Sequence, residues 1–237
     1  PTETGKEFFG YALHIVSMFD EMEKKIRNWD AIGTIRIGAS ITIGTHILPP
    51  LLKRYQSDYP DLRTEVMIKK SAAVEHHILD NDIDIGLIEN QPEHPDIIAL
   101  PFMEDFLQAI VAPDHPLAEC SEITLEQLAE YPFLMREKGS AGREILDACF
   151  ALRQIAVRPL WESSSTQAIV RGVAEGLGVA VLPCLLVKKN IEEHAVKMIP
   201  FTLPLTRKLN IIYHKSKYLT NNMNAFINLC KEYGSGE

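Results

Sequence analysis

Residues 34–52 read TIRIGASITIGTHILPPLL, a strand, a turn and a helix in direct succession. The run 34–38 is rich in β-branched residues and predicts a strand. The apolar residues that follow recur with the spacing of one helix face: Ile47, Leu48, Leu51, Leu52 and Tyr55. A strand at 62–68, a helix at 71–79 and a continuously apolar strand at 84–88 come next. This β-α-β-α-β order predicts a parallel sheet with right-handed crossovers.

A second alternating unit begins after Pro113. Its predicted strands are 133–135, 157–161, 178–182 and 208–213, and its predicted helices are 142–152, 165–175 and 219–231. The chain is expected to cross between the two units near Val111–Ala112 and Arg207–Lys208. We therefore predict an α/β protein with two Rossmann-like lobes and a ligand cleft between them: lobe I at 33–112 with 208–237, and lobe II at 113–207.

Residues 1–30 predict a long helix ahead of both lobes. Its apolar residues are separated alternately by four and three positions: Phe8, Ala12, Ile15, Phe19, Met22, Ile26 and Trp29. This alternation is typical of a heptad seam and favours a helix that pairs with a second copy of the chain. The alternative is an amphipathic helix packed on its own domain.

The overall composition limits the function. The net charge of −8 and the lack of a basic run argue against DNA binding by this chain alone. Four widely spaced cysteines without a CxxC pair are expected to be reduced thiols: Cys120, Cys149, Cys184 and Cys230. Neither a signal peptide nor an apolar run of membrane-spanning length is evident, so we expect a cytoplasmic location without membrane contact.

Three predicted strand-to-helix junctions carry hydroxyl side chains at the sheet edge where open α/β folds bind ligands. Each offers free backbone N–H groups and the positive end of a helix dipole, which suit a carboxylate or an inorganic oxyanion. Arg143 would add a charge-assisted hydrogen bond. Helix capping alone is the alternative for any single junction. The predicted ligand contacts are Ser40, Ile41, Thr42, Gly139, Ser140, Arg143, Ser164, Ser165 and Thr166.

The sequence lacks the common catalytic motifs. It contains no HExxH, GxSxG, Walker or GxGxxG pattern, so we predict neither an enzyme nor a bound metal or cofactor. Two rival functions share the predicted fold. A transporter's solute-binding protein would need an export signal and has no use for a heptad-patterned helix. A two-lobed enzyme would need an acid, a base or a cofactor lysine in the cleft.

Several motifs resemble one family in order and spacing. The most specific are PDHPL at 113–117 and EGLGVAVLP at 175–183, supported by GAS at 38–40, LPPLL at 48–52, YPDL at 59–62 and DIDIGL at 82–87. The chain resembles the linker helix and effector-binding region of LysR-type transcriptional regulators along nearly its full length.

The resemblance implies a periplasmic-binding-protein-like fold and effector contacts at Ser40, Thr42, Ser140, Ser164 and Thr166. It also implies a homodimer or tetramer. DNA would be contacted only through a winged helix-turn-helix ahead of residue 1, absent from this chain. The expected function is to sense a small anionic metabolite and transmit its presence to that domain.

Overall fold

The computed structural model describes ten residues between Thr2 and Met22, and then residues 33–89 and 91–236. Nine of the ten are helical: Thr4, Gly5, Phe8, Phe9, Ala12, Ile15, Val16, Phe19 and Met22. Phe8, Ile15 and Phe19 are 64–75% exposed. The described part of the apolar stripe is therefore not covered by the lobes, while its pairing with a second copy stays a prediction. Ile26 and Trp29 lie outside the described residues.

The first part of lobe I follows the predicted order. Its elements are β1 (Thr34–Ala39), α1 (Ile41–His46), α2 (Leu48–Asp58), β2 (Arg63–Ile68), α3 (Ser71–Leu79) and β3 (Ile85–Glu89). Strand β1 pairs in parallel with both β2 and β3, as the β-α-β-α-β order predicts. Pro49 and Pro50 stand in the first turn of α2, where a missing N–H costs no hydrogen bond. The carboxyl ends of three neighbouring strands thus meet at one edge.

Two long antiparallel strands, β4 (Ile97–Val111) and β9 (Leu205–His214), join the lobes. Together they make one seven-stranded sheet in the order β2-β1-β3-β9-β4-β7, with β8 also paired to β4. The apolar residues after Asp105 on β4, from Leu107 to Val111, pack into the cores of lobe II. These residues of β4 therefore share a core with lobe II, and the predicted crossings near Val111–Ala112 and Arg207–Lys208 stay predictions.

Lobe II contains the remaining elements and a small parallel sheet made of β5 and β6. The elements of lobe II are a 3-10 helix (Pro116–Glu119), α4 (Leu125–Leu128), β5 (Phe133–Arg136), α5 (Ala141–Leu152), β6 (Pro159–Ser163), α6 (Thr166–Ala174), β7 (Ala180–Pro183), α7 (Cys184–Glu192) and β8 (Lys197–Ile199). The closing helix α8 (Asn221–Ser235) returns to lobe I, where Phe226 stacks edge-on against Tyr55. The α/β fold class is confirmed.

All four cysteines lie in the described part of the chain and are free thiols. Cys230 is buried in the lobe I core, where burial raises the pKa of its thiol strongly. No helix within the described residues has the length and apolar character that a membrane crossing requires.

Candidate functional site

A cavity of about 470 Å³ lies between the lobes, at the carboxyl ends of their strands. Lobe I contributes the residues that follow β1 and β2 and the last residue of β3 to its wall. Lobe II contributes the end of β5, the turn from residue 139 into α5, and β7. Carboxyl ends of strands in both lobes face this space, which is the position at which open α/β folds bind ligands.

Six of the nine predicted ligand residues line this cavity. They are Ser40, Ile41, Thr42, Gly139, Ser140 and Arg143. The other three, Ser164, Ser165 and Thr166, are not among its lining residues, so this cavity brings together two of the three junctions, while the role of all nine residues in ligand binding stays a prediction. The physical reason is strand order: β5 contacts both β6 and Val179, just before β7, which leaves β6 as the outer strand.

The two converging junctions both cap a helix. Ser40 Oγ accepts a hydrogen bond from the Ile43 amide at 3.5 Å, and Ser140 Oγ accepts one from the Arg143 amide at 3.4 Å. Gly139, with φ of +81°, supplies the left-handed turn that precedes Ser140. Capping leaves the first two amides of each helix without an intrahelical acceptor. Each junction can therefore cap its helix and still offer N–H groups to a ligand.

Arg143 lines the cavity, but its guanidinium is already paired. Its Nε donates to Asp147 at 2.8 Å, and its Nη1 donates to the Arg136 carbonyl at 2.7 Å and to Glu162 at 3.0 Å. Burial acts to lower the pKa of Arg143, but the bonds to these carboxylates outweigh it and raise the pKa. The guanidinium of Arg143 therefore joins β5, α5 and β6, and its bond to a ligand stays a prediction.

Other charged residues, which were not predicted from the sequence, line the same cavity. Arg136 pairs with Glu137 at 3.0 Å and donates to Thr166 Oγ1 at 3.0 Å, which connects the third junction to the cavity wall. Lys70 of lobe I approaches Glu137 of lobe II at 4.0 Å across the cleft. Lys70 lies two residues after the end of β2 and directly before α3, so the strand-end rule that found Ser40 also applies to it.

A buried ionic cluster forms part of the cavity wall at the lobe crossing. Arg207 of β9 binds Asp105 of β4, with 2.8 Å from Nε and 2.6 Å from Nη2 to the same carboxylate oxygen. A second carboxylate, Glu89 at the end of β3, lies 3.6 Å from Arg207 Nη1. Within the described ranges, no group of three or more His, Cys, Asp or Glu residues could hold a metal ion.

Comparison with known proteins identifies close relatives of this chain. The family model described as LysR substrate binding domain matches residues 30–235. The chain is 35% identical over 229 residues to the HTH-type transcriptional regulator YeiE of Escherichia coli, covering 96% of this chain and 77% of that protein. It is 32% identical over 234 residues to the regulator CysL of Bacillus subtilis, covering 97% and 78%.

The fold also matches solved structures. The regulatory domain of CcmR from Synechocystis PCC6803, in complex with 2-PG, superimposes with a TM-score of 0.78 at 25% sequence identity. The match covers 85% of this chain and 97% of that domain. The similarity therefore extends over both lobes.

Proposed function

This chain belongs to the LysR substrate-binding family, and we propose that it senses a small anion held in the cavity between its two lobes. It is the effector-binding domain of a LysR-type transcriptional regulator. Regulators of this family are oligomeric, bind small-molecule effectors and contact DNA through an N-terminal domain. The alternative role as a transporter's solute-binding protein is not supported, because the relatives are regulators of transcription.

One observation carries the anionic character of the effector: two capped helix N-termini from different lobes open on one cavity. They are the N-terminus of α1, which Ser40 caps, and the N-terminus of α5, which Ser140 caps. Unpaired first-turn amides and the aligned dipoles of both helices favour negative charge at the point where they converge. The match to a regulatory domain that holds 2-PG supports a ligand of small size.

An anion bound at both junctions would connect the lobes and favour one angle between them. Lys70 and Glu137 already approach each other across the cleft, so a small closing movement would bring them into full contact. The resulting shift in population is limited by the difference in ligand affinity between the open and closed arrangements. In this proposal the protein binds its effector in the cytoplasm, without a cofactor and without changing the effector chemically, as befits a domain whose relatives are regulators.

Thermal unfolding with a panel of small carboxylates and oxyanions tests the proposal. A bound anion at one hundred times its Kd stabilises by about 2.7 kcal/mol, which raises Tm by roughly 5–10 °C in a protein of this size. The decisive variant is Ser140→Asp, because aspartate caps a helix as well as serine does but places a negative charge in the cavity. Ser165→Asp is the matched control, since Ser165 caps α6 outside the cavity.

We expect Ser140→Asp to remove the ligand-induced rise in Tm and Ser165→Asp to keep it. Each variant is compared with its own ligand-free Tm, so that a change in capping strength does not affect the result. An equal rise in Tm in both variants would show that the anion binds elsewhere. If no anion in the panel raises the Tm of the wild-type protein, the proposal that the effector is an anion is wrong.

A further inference from the structure

We propose that Glu89 selects effectors that carry a hydrogen-bond donor beside their anionic group, such as hydroxy acids and amino acids. The inference rests on the proposed function, because it concerns the same cavity. It narrows the class of effector from small anions in general to organic acids with a hydroxyl or ammonium group.

The carboxylate of Glu89 is buried yet incompletely satisfied. Glu89 is 5% exposed and lines the cavity at the end of β3. Among the described residues, the hydrogen bond that its side chain accepts comes from Ser71 Oγ at 2.9 Å. A carboxylate has about four acceptor positions, so Glu89 keeps capacity for further donors. A ligand donor arriving from the cavity would use that capacity.

The charge of Glu89 is also incompletely balanced. The guanidinium of Arg207, with a side chain 1% exposed, is closer to Asp105 at 2.6 Å than to Glu89 at 3.6 Å. Two buried carboxylates therefore share one cation, and the cluster keeps an excess negative charge. A buried charge without a partner is costly, which makes the position beside Glu89 favourable for a cation or a polarised hydroxyl.

The two walls of the cavity differ in charge. On the lobe I side, three carboxylates (Glu75, Glu89 and Glu93) stand with one permanent cation (Lys70), and Arg207 lies between the walls at the lobe crossing. On the lobe II side, two arginines and two glutamates are balanced, and the positive end of α5 is added to them. An effector that is negative at the α5 end and donates hydrogen bonds towards β3 would complement both walls.

This arrangement disfavours ligands that only accept hydrogen bonds. Sulfate would place its oxygens against the Glu89 carboxylate, whereas glycolate and glycine would each donate to it. A site that holds an unmatched buried polar group discriminates strongly against an analogue that cannot pair with it. Discrimination at this position is therefore independent of the affinity that the helix N-termini provide.

Titrations followed by NMR chemical shifts test the inference with four probes: acetate, glycolate, glycine and sulfate. Acetate and glycolate differ only by the hydroxyl. The proteins are the wild type, Glu89→Gln, and Glu193→Gln as a control that removes one equally negative side chain from the exposed end of α7. For the wild type we expect glycolate and glycine to bind at least about tenfold more tightly than acetate and sulfate.

In Glu89→Gln the amide adds donors and removes the charge, so sulfate should gain affinity and glycine should lose it, each by about tenfold. Glu193→Gln should keep the wild-type order. Acetate and sulfate binding the wild type as tightly as glycolate and glycine would overturn the inference, even if the Glu89 variant does not fold. If anions bind in a Ser140-dependent way but Glu89→Gln leaves their order unchanged, this inference fails and the proposed function stands. Binding of none of the four probes to the wild type overturns this inference, while the proposed function is tested by the wider panel of anions.

Discussion

The two carboxylates that share Arg207 should contribute very differently to stability. In Asp105→Asn the guanidinium loses its near partner at 2.6–2.8 Å, and the carboxylate of Glu89 remains at 3.6 Å. Removing one member of a buried ion pair costs about 3–5 kcal/mol, and the remaining carboxylate places this variant at the lower end, about 3 kcal/mol. For a protein of this size that corresponds to a Tm lower by roughly 6–12 °C.

Glu89→Gln should have the opposite character, because it removes the surplus charge and leaves the Arg207–Asp105 pair intact. The glutamine keeps a carbonyl oxygen that can accept the hydrogen bond from Ser71. We expect its free energy of unfolding to change by less than about 1 kcal/mol, or to rise. The assay is urea unfolding followed by circular dichroism at pH 7, without ligand. A loss in Glu89→Gln as large as the loss in Asp105→Asn would refute the reasoning that Glu89 is the less compensated carboxylate.

Three further predictions follow from other parts of the molecule. Gly172→Ala should lower the free energy of unfolding by about 1–3 kcal/mol, because the added Cβ would lie 2.8 Å from the Leu134 side chain and would also clash with the Trp161 ring. Gly142→Ala is the control: its added Cβ has its nearest neighbour at 3.7 Å, so this variant should not be destabilised. Urea unfolding compares the two variants. Burial of Asp84 acts to raise its pKa, but hydrogen bonds from Arg36 and Lys217 outweigh this effect and lower the pKa. Its contribution to stability is thus present above the unfolded carboxyl pKa of about 3.9 and is lost as the pH falls through the lower folded value, so Asp84→Asn should be less stable at pH 7 and approach the wild type near pH 2 in urea titrations. Phe19→Glu, on the exposed stripe of the N-terminal helix, should lower the average mass measured by light scattering, and an unchanged mass would contradict pairing through the heptad seam.

The sequence predicted the elements whose signals are local. Strand β1, helix α2 and the parallel pairing of β1 with β2 and β3 follow from periodicity and order alone, whereas the short helix α1 was expected to be a turn. Strand β4 was missed, because Pro101 and the charged pair Glu104–Asp105 interrupt its alternation. Those residues are accommodated by β9, more than a hundred positions away: the register shifts beside Pro101, and Asp105 binds Arg207.

The residues of the candidate site also fall into two groups: those that a local sequence signal predicts and those whose position depends on the order of the strands. Ser40 and Ser140 could be found because a hydroxyl before a helix is a local signal, and the strand-end rule indicates which way it faces. Whether Ser165 also reaches the cavity depends on the position of β6 in its sheet, which no local pattern encodes. The pairing of Arg143 with Asp147 at i+4 could have been read from the sequence, but its bond to Glu162 depends on β6 lying beside β5.

The position of Glu89 gives the proposed ligand contact a route to the rest of the molecule. The lobes are joined by β4 and β9, and Asp105 and Arg207 are the facing residues of those two strands at the crossing. A donor bound to Glu89 would change the charge balance of the cluster that Arg207 holds there. Ligand binding and the angle between the lobes would then depend on the same buried charges. A ligand that binds only at the helix N-termini would lack this link, so effectors with and without a donor should differ in how far they close the cleft as well as in affinity.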